Sequence, residues 1–414
     1  MISHRFLLFS VITFILLGSG FYYYRPAAVQ SHHCPMDRPE WGFFGHKRIN
    51  RMAVFTLPPE MMFFFKKNID YLTDHAADPD MRRYAVNWEA PRHYIDLDEY
   101  DESKGPLPLL WIDALMEHAT VHGVRGEKDT LLLYAPDKAM PDSLYRAWEG
   151  YFYKEVMRRF SSDDKTLDAD TLMAYSRHRG LHIPDVQAAF FTENLSAHGI
   201  LPWNLQQMQR RLTEAFRQKD TPLILKLCAD IGHYIGDAHV PLHTTSNYNG
   251  QKSNQIGIHG FWESRLPELY ADEQYDYFVG KAGYIDRKPE YFWKIVRESH
   301  QLVDSVLSIE WMLRSRFPAD RQMCADVRNG VQVLTQCRDF AAAYHQRMQG
   351  MVERRMREAV HSVASVWYTA WLDAGAPDLR EEGDSSGAPN ALQEDAELQQ
   401  RFNTGKILGR PEEH

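Results

Sequence analysis

Apolar residues along most of this chain recur at three- and four-residue steps, which is helical periodicity, and strand-like alternation is hard to find. Residues 222–239 place Ile224, Leu227, Cys228, Ile231 and Ile235 on one stripe behind a proline start, predicting an amphipathic helix. Residues 338–373 repeat the pattern from Phe340 through Tyr344, Met348, Met356 and Val363 to Trp371, with Arg and Glu between them and Gly350 as the natural break. Further helices are predicted over 46–56, 59–72, 140–160, 204–218 and 290–314. The predicted fold class is all-α, a multi-helix domain over residues 41–376.

The two ends read differently. A short basic start precedes an apolar run from Phe6 to Tyr24. Residues 1–30 therefore read as a signal peptide or as a membrane anchor, the second with membrane contact through residues 6–24. Either way the main domain is expected to be exported: extracellular, periplasmic, or membrane-anchored and facing outward. Beyond Ala376-Pro377 the composition shifts to Glu, Asp, Gly, Ser and Gln, and residues 380–414 read as a disordered tail.

Charge narrows the function only a little. Lys+Arg 47 against Asp+Glu 56 leaves a net −9, so no overall basic field collects nucleic acid, though a local basic groove stays open. The four cysteines are too scattered for a disulfide framework, and Cys324 with Cys337 is the only plausible bridge. No GxGxxG or GxxxxGK[ST] loop supports a nucleotide-cofactor or P-loop reading. Histidine is plentiful, 19 in 414 residues, so any metal would be held by imidazole and carboxylate.

The densest chemistry lies between His233 and Glu263. His233 and Asp237 are four apart on a predicted helix, so their side chains project from one face and can converge on one ion. Asp230, one turn earlier, is placed to orient the His233 ring. Pro241 stops the helix, His243 follows in the turn, and His259 with Glu263 repeats the four-residue spacing. A single such pair is usually a solvated or capping arrangement, but two pairs and an intervening histidine within one short segment point to metal. Upstream, His46, Asp78 and His93 add donors, with Asp74, Asp80, Asp96 and Asp98 competing as the carboxylate. Four or five histidines and three carboxylates without thiolate suit a cluster of two or three ions, zinc best and manganese less well.

In order, WGFFGH, the Asp78 block, RHYID, HYIGDAHVPLH and HGFWE resemble the motif set of the superfamily that unites bacterial zinc-dependent phospholipase C with the single-strand nucleases of the S-one/P-one type. The likeness spans roughly residues 41–376, and HYIGDxxxPLH is its most specific part. It implies a mostly helical domain with a trinuclear zinc cleft. Asp78, His93, His233 and Asp237 would hold one ion, and His243, His259 and Glu263 a second. A third would take His46, a bridging Asp237, and the main-chain amine and carbonyl of Trp41. In that family the tryptophan is the mature amino terminus, whereas forty residues precede it here, so the third site requires processing between Glu40 and Trp41. The stretch from His93 to His233 is also long for the nucleases, which implies an insertion at about 100–200 that covers or reshapes the cleft.

The resemblance implies a phosphodiesterase that uses zinc-activated water, with Asp96 orienting the nucleophile and Arg82 or Arg83 forking a phosphate oxygen. It implies a phospholipid or a single-stranded nucleic acid as substrate. Glu263, where the nucleases tend to carry Asp, leans toward the phospholipase C branch, with the nuclease as alternative. A third reading is a non-catalytic zinc-binding scaffold with no open coordination position.

Overall fold

The computed structural model describes residues 43–380 apart from 102, 104, 127–128, 137–139, 158–163 and 329–330. The signal or anchor segment 1–30 with its apolar stretch 6–24, the ligand position Trp41 and the tail expected from 380 onward lie, save Arg380, outside the described residues.

Four helices come first: α1 (Phe43–Val54), α2 (Pro59–Lys67), α3 (Ile69–Asp74) and α4 (Asp78–Arg82). After α5 (Trp111–His118), α6 (Asp142–Tyr151) and α7 (Ala169–Arg179) come the long pair α8 (Leu201–Gln218) and α9 (Thr221–Ala238). A short α10 (Ile258–Gly260) runs through a π-turn at Phe261–Arg265 into α11 (Leu266–Tyr270). Then follow α12 (Lys288–His300), α13 (Val303–Arg314), α14 (Arg338–Arg347) and α15 (Met351–Asp373). Each periodicity-based helix has a helical counterpart among the described residues. Three of them are interrupted: 59–72 at Asn68, 290–314 between His300 and Val303, and 140–160, where α6 gives way to a π-turn at Phe152–Val156 and residues 158–160 lie outside the described ones. Gly350 does separate α14 from α15, in the left-handed region at φ 74°.

The all-α expectation is corrected. Strands β1 (Ala119–Arg125), β2 (Asp129–Tyr134), β3 (Thr166–Leu167) and β4 (Ala188–Glu193) form an antiparallel sheet in the order β2-β1-β4-β3. β5 (Met323–Arg328) and β6 (Val331–Gln336) add a hairpin, beside which Cys324 and Cys337 form a disulfide. The fold is therefore mixed α and β, and the four-stranded sheet falls within the segment expected as an insertion. Val121 and Phe191 face one another across β1 and β4 and are buried. On that face Tyr134 packs against Trp148 and Phe152 at 5.2 and 5.0 Å between ring centres. The other face carries an exposed Leu132.

The body that positions the donors is helical. Asp220 caps α9 by accepting a hydrogen bond from the Leu223 N–H, and Pro222 sits in the first turn, where its missing N–H is harmless. All but three residues of α9 are buried, since α8, α1, α3 and α15 pack around it. Two glycines one turn apart on α9 admit α1 unusually closely. A Cβ at Gly232 would lie 1.9 Å from Asn50 Oδ1, and one at Gly236 would lie 2.7 Å from His46 Nδ1. Asn50 uses that proximity to donate to the carbonyls of Leu72 and Ala229.

Candidate metal centre

Helix geometry delivers the first donors. His233 and Asp237 stand on one face of α9, and the glycine-permitted approach of α1 stacks the His46 ring on that of His233 with centres 3.9 Å apart. His93 ends the short turn Ala90–Arg92. The chain after it is clamped on both sides: the Ile95 N–H donates to the His243 carbonyl, and the Asp96 N–H donates to the His198 carbonyl. The segment HGILPW thus holds the His93 loop and starts α8. On the far side, Asn249 Oδ1 accepts from the N–H groups of Gly257 and His259 and fixes the turn that presents His259.

These elements bring seven of the sequence-predicted donors, His46, His93, His233, Asp237, His243, His259 and Glu263, into one buried cluster with Asp80. His93, His233 and His259 are 0% exposed. Three-donor groups with all ligand atoms within 4.8 Å of one another form four times: His46/Asp80/His233, His93/His233/Asp237, His243/His259/Glu263 and His46/Asp237/Glu263. Asp237 joins the two ends. Its Oδ2 lies 3.0 Å from His93 Nδ1 and 3.4 Å from His233 Nε2, and its Oδ1 lies 3.4 Å from His46 Nε2 and 3.7 Å from His243 Nε2. Glu263 Oε1 is 3.1 Å from His46 Nε2, while Oε2 is 2.8 Å from His259 Nε2 and 3.3 Å from His243 Nε2.

Hydrogen bonding shows which ring nitrogens are turned toward the cluster. His233 Nδ1 donates to the Ala76 carbonyl at 2.9 Å and His259 Nδ1 to the Tyr248 carbonyl at 3.3 Å, so both present a lone pair at Nε2. That His233 lone pair faces His93 Nδ1 at 3.1 Å, where Asp237 also converges. His243 Nε2 and Glu263 Oε2 face one another, yet neither has a hydrogen bond among the described residues. Buried polar atoms that converge on a common point are a donor geometry that a cation could satisfy.

Electrostatics agrees. Burial, and then the neighbouring charges of His233 and Arg83, hold His93 well below the ordinary imidazole range; burial and then His46 do the same to His233. Burial pushes Glu263 up, but the charge of His243 and then the close polar contacts of His243, His259 and His46 outweigh it and leave the carboxyl well below its usual range. Neutral imidazoles and ionised carboxylates are the protonation states a metal ion needs. The cluster can hold a metal ion.

Three expected roles are corrected. Asp78 turns away and pairs with His75 Nδ1 at 2.8 Å. Asp80, two residues on, is the carboxylate that enters the cluster, 3.6 Å from His233 Nε2 and 3.7 Å from His93 Nδ1. Arg82 is not available to fork a phosphate. Its guanidinium holds Asp230 through two nitrogens at 3.0 Å each and lies 3.5 Å from Glu89. Asp230 accordingly braces Arg82, and the Ala76 carbonyl orients His233 instead. Arg83 is the arginine beside the cluster, 3.6 Å from Asp80. Asp96 is buried but belongs to none of the donor groups; it lies near Tyr100, whose phenol is pushed upward by burial, then by Glu193 and Asp96.

Glu89 was not anticipated. It is 0% exposed, accepts from the Tyr234 hydroxyl, and sits 3.7 Å from His93 Nε2, the edge of that ring opposite the cluster. Its four-residue spacing to His93 was the available signal. His239 is outside the cluster, donating from Nδ1 to the Ile235 carbonyl. Comparisons with family models, with curated proteins and with solved structures each find no match for this chain.

Proposed function

We propose that this chain is an exported zinc-dependent phosphodiester hydrolase of the phospholipase C and P-one-type nuclease kind. The observation that carries the reading is the Asp237 carboxylate, whose two oxygens face the donors of two adjacent three-ligand groups, an arrangement suited to ions held side by side. Donors that are all imidazole or carboxylate favour zinc. Bound there, zinc would supply a Lewis acid that brings the pKa of water toward about 7 and neutralises phosphoryl oxygens.

The protein's own share is preorganisation. Ala76 and Tyr248 lock two imidazoles in the tautomer that offers Nε2, Glu89 stands behind His93, and Arg83 places a cation beside Asp80. Asp80, Asp237 and Glu263 concentrate negative charge in a water-poor site, which only cations can offset. Arg83, unlike Arg82, is the arginine positioned to act near a phosphate.

The test is hydrolysis of phosphatidylcholine vesicles and of single-stranded DNA or RNA by zinc-loaded protein, with chelator and Asp237→Ala controls. Chelator should abolish turnover. Asp237→Ala should weaken zinc binding by at least about a hundredfold, beyond the range typical of an outer-shell partner, and remove activity with it. One observation favours a second reading: three of the imidazoles are 0% exposed, as in a closed structural site. Stoichiometric zinc with no diester hydrolysis would select that scaffold reading.

A further inference from the structure

A cavity of about 340 Å³ lies beside the segment that carries His243. Leu97, on one wall, follows Asp96. His300, on another, donates from Nδ1 to the carbonyl of Thr244 at 2.9 Å, and Thr244 follows the donor His243. The frame between these walls is tied down, because Asp98 accepts from the Thr245 hydroxyl and from the Ser246 N–H and hydroxyl.

The lining has a definite character. Leu97, Leu107 and Trp293 make it largely apolar, and Arg297 stands over the Trp293 ring with its guanidinium carbon 5.1 Å from the ring centre. Among the described residues Arg297 is in no ion pair and no carboxylate lines the cavity. The Tyr100 side chain also contributes to the lining, while its hydroxyl is itself buried. A guanidinium at the rim of a cavity that no carboxylate lines is suited to an anionic acceptor. A quaternary ammonium group would need a carboxylate or an open aromatic face. Here the Trp293 face is already taken by a cation.

Resting on the phosphodiesterase reading, we propose that this cavity receives a second phosphate carried on one arm of the substrate diester, with Arg297 as the residue that selects it. Choline esters are disfavoured for the same reason. The pocket thereby sets specificity while the chemistry stays with the metal centre.

The experiment uses the zinc-loaded full chain and three matched p-nitrophenyl diesters: thymidine 3′-(p-nitrophenyl phosphate), the same ester with a 5′-phosphate, and p-nitrophenylphosphorylcholine. The added 5′-phosphate should raise kcat/KM about tenfold, the scale of one charge-assisted hydrogen bond, and the choline ester should be the poorest substrate. Arg297→Gln should erase the gain from the 5′-phosphate and Arg297→Lys should restore part of it. An analogue built on glycerol instead of the nucleoside separates a nucleotide from a phosphorylated head group as the source of the second phosphate. Calorimetric binding of phenyl phosphate to the same proteins supplies a readout independent of turnover, because any contribution from zinc is common to wild type and variant. If Arg297→Gln leaves both the 5′-phosphate preference and phenyl phosphate affinity unchanged while hydrolysis persists, the pocket assignment is overturned and the phosphodiesterase reading survives. If no ester is hydrolysed but phenyl phosphate affinity falls about tenfold in the variant, the anion pocket stands and the phosphodiesterase reading fails. Arg297 is exposed, so the variant should fold; its melting temperature checks that.

Discussion

The helical body around α9 and the sheet of residues 119–193 are held together in different ways. In the body, α9 is enclosed by α1, α3, α8 and α15, and its glycines leave no room even for a methyl group where α1 crosses. The sheet is covered on one face only: Val121, Tyr134 and Phe191 are buried, while Leu132 on the other side is half exposed. Among the described residues, every donor of the candidate metal centre comes from the body and none from the segment 101–197. Precision is thus concentrated where ligand atoms must meet within a few ångströms, and the sheet can vary without moving them.

The sharpest way to break this comparison is to change one carboxylate at a time on α4. Asp80→Asn should lower zinc affinity by more than about tenfold, since a direct ligand exceeds an outer-shell partner, whereas Asp78→Asn should leave zinc content unchanged. Equal effects, read by metal titration, would mean that α4 does not present Asp80. Next, Gly232→Ala would put a methyl group against Asn50 and should destabilise by about 1–3 kcal/mol. Polar substitution of Leu132 in the sheet should stay within about 0.5 kcal/mol. Denaturant melts that rank the two the other way would remove the distinction between regions.

The smallest effect concerns pH. Burial, and then Arg355, hold His239 well below the usual imidazole range in the folded state. The unfolded chain therefore binds the extra proton first. The stability from a neutral His239 is fully present above the ordinary pKa of about 6.5 and declines as pH falls below it. A melting temperature that drops between about pH 7.5 and 5.5, less steeply in His239→Gln, is expected; identical slopes would show that His239 does not contribute.

Much of this was legible beforehand because helical periodicity and the four-residue spacing of His233/Asp237 and His259/Glu263 are local properties of one element. The sheet was not, since its strands are short and half buried and β1 is completed only by β4, from far along the chain. Glu89 shows the same limit at the site: it acts through His93 and Tyr234, and only the packed structure puts all three together.

Legible from the sequence by itself were the helical body and seven of the imidazole and carboxylate residues that the structure gathers into one cluster. The tertiary structure alone decided between Asp78 and Asp80, and between Arg82 and Arg83. Neighbouring residues on a helical turn point in directions roughly 100° apart per residue, so each pair offers both faces. The choice falls to packing: Arg82 is drawn to the buried Asp230 and Glu89, and with it α4 is rotated so that Asp80 and Arg83 face the histidines while Asp78 meets His75.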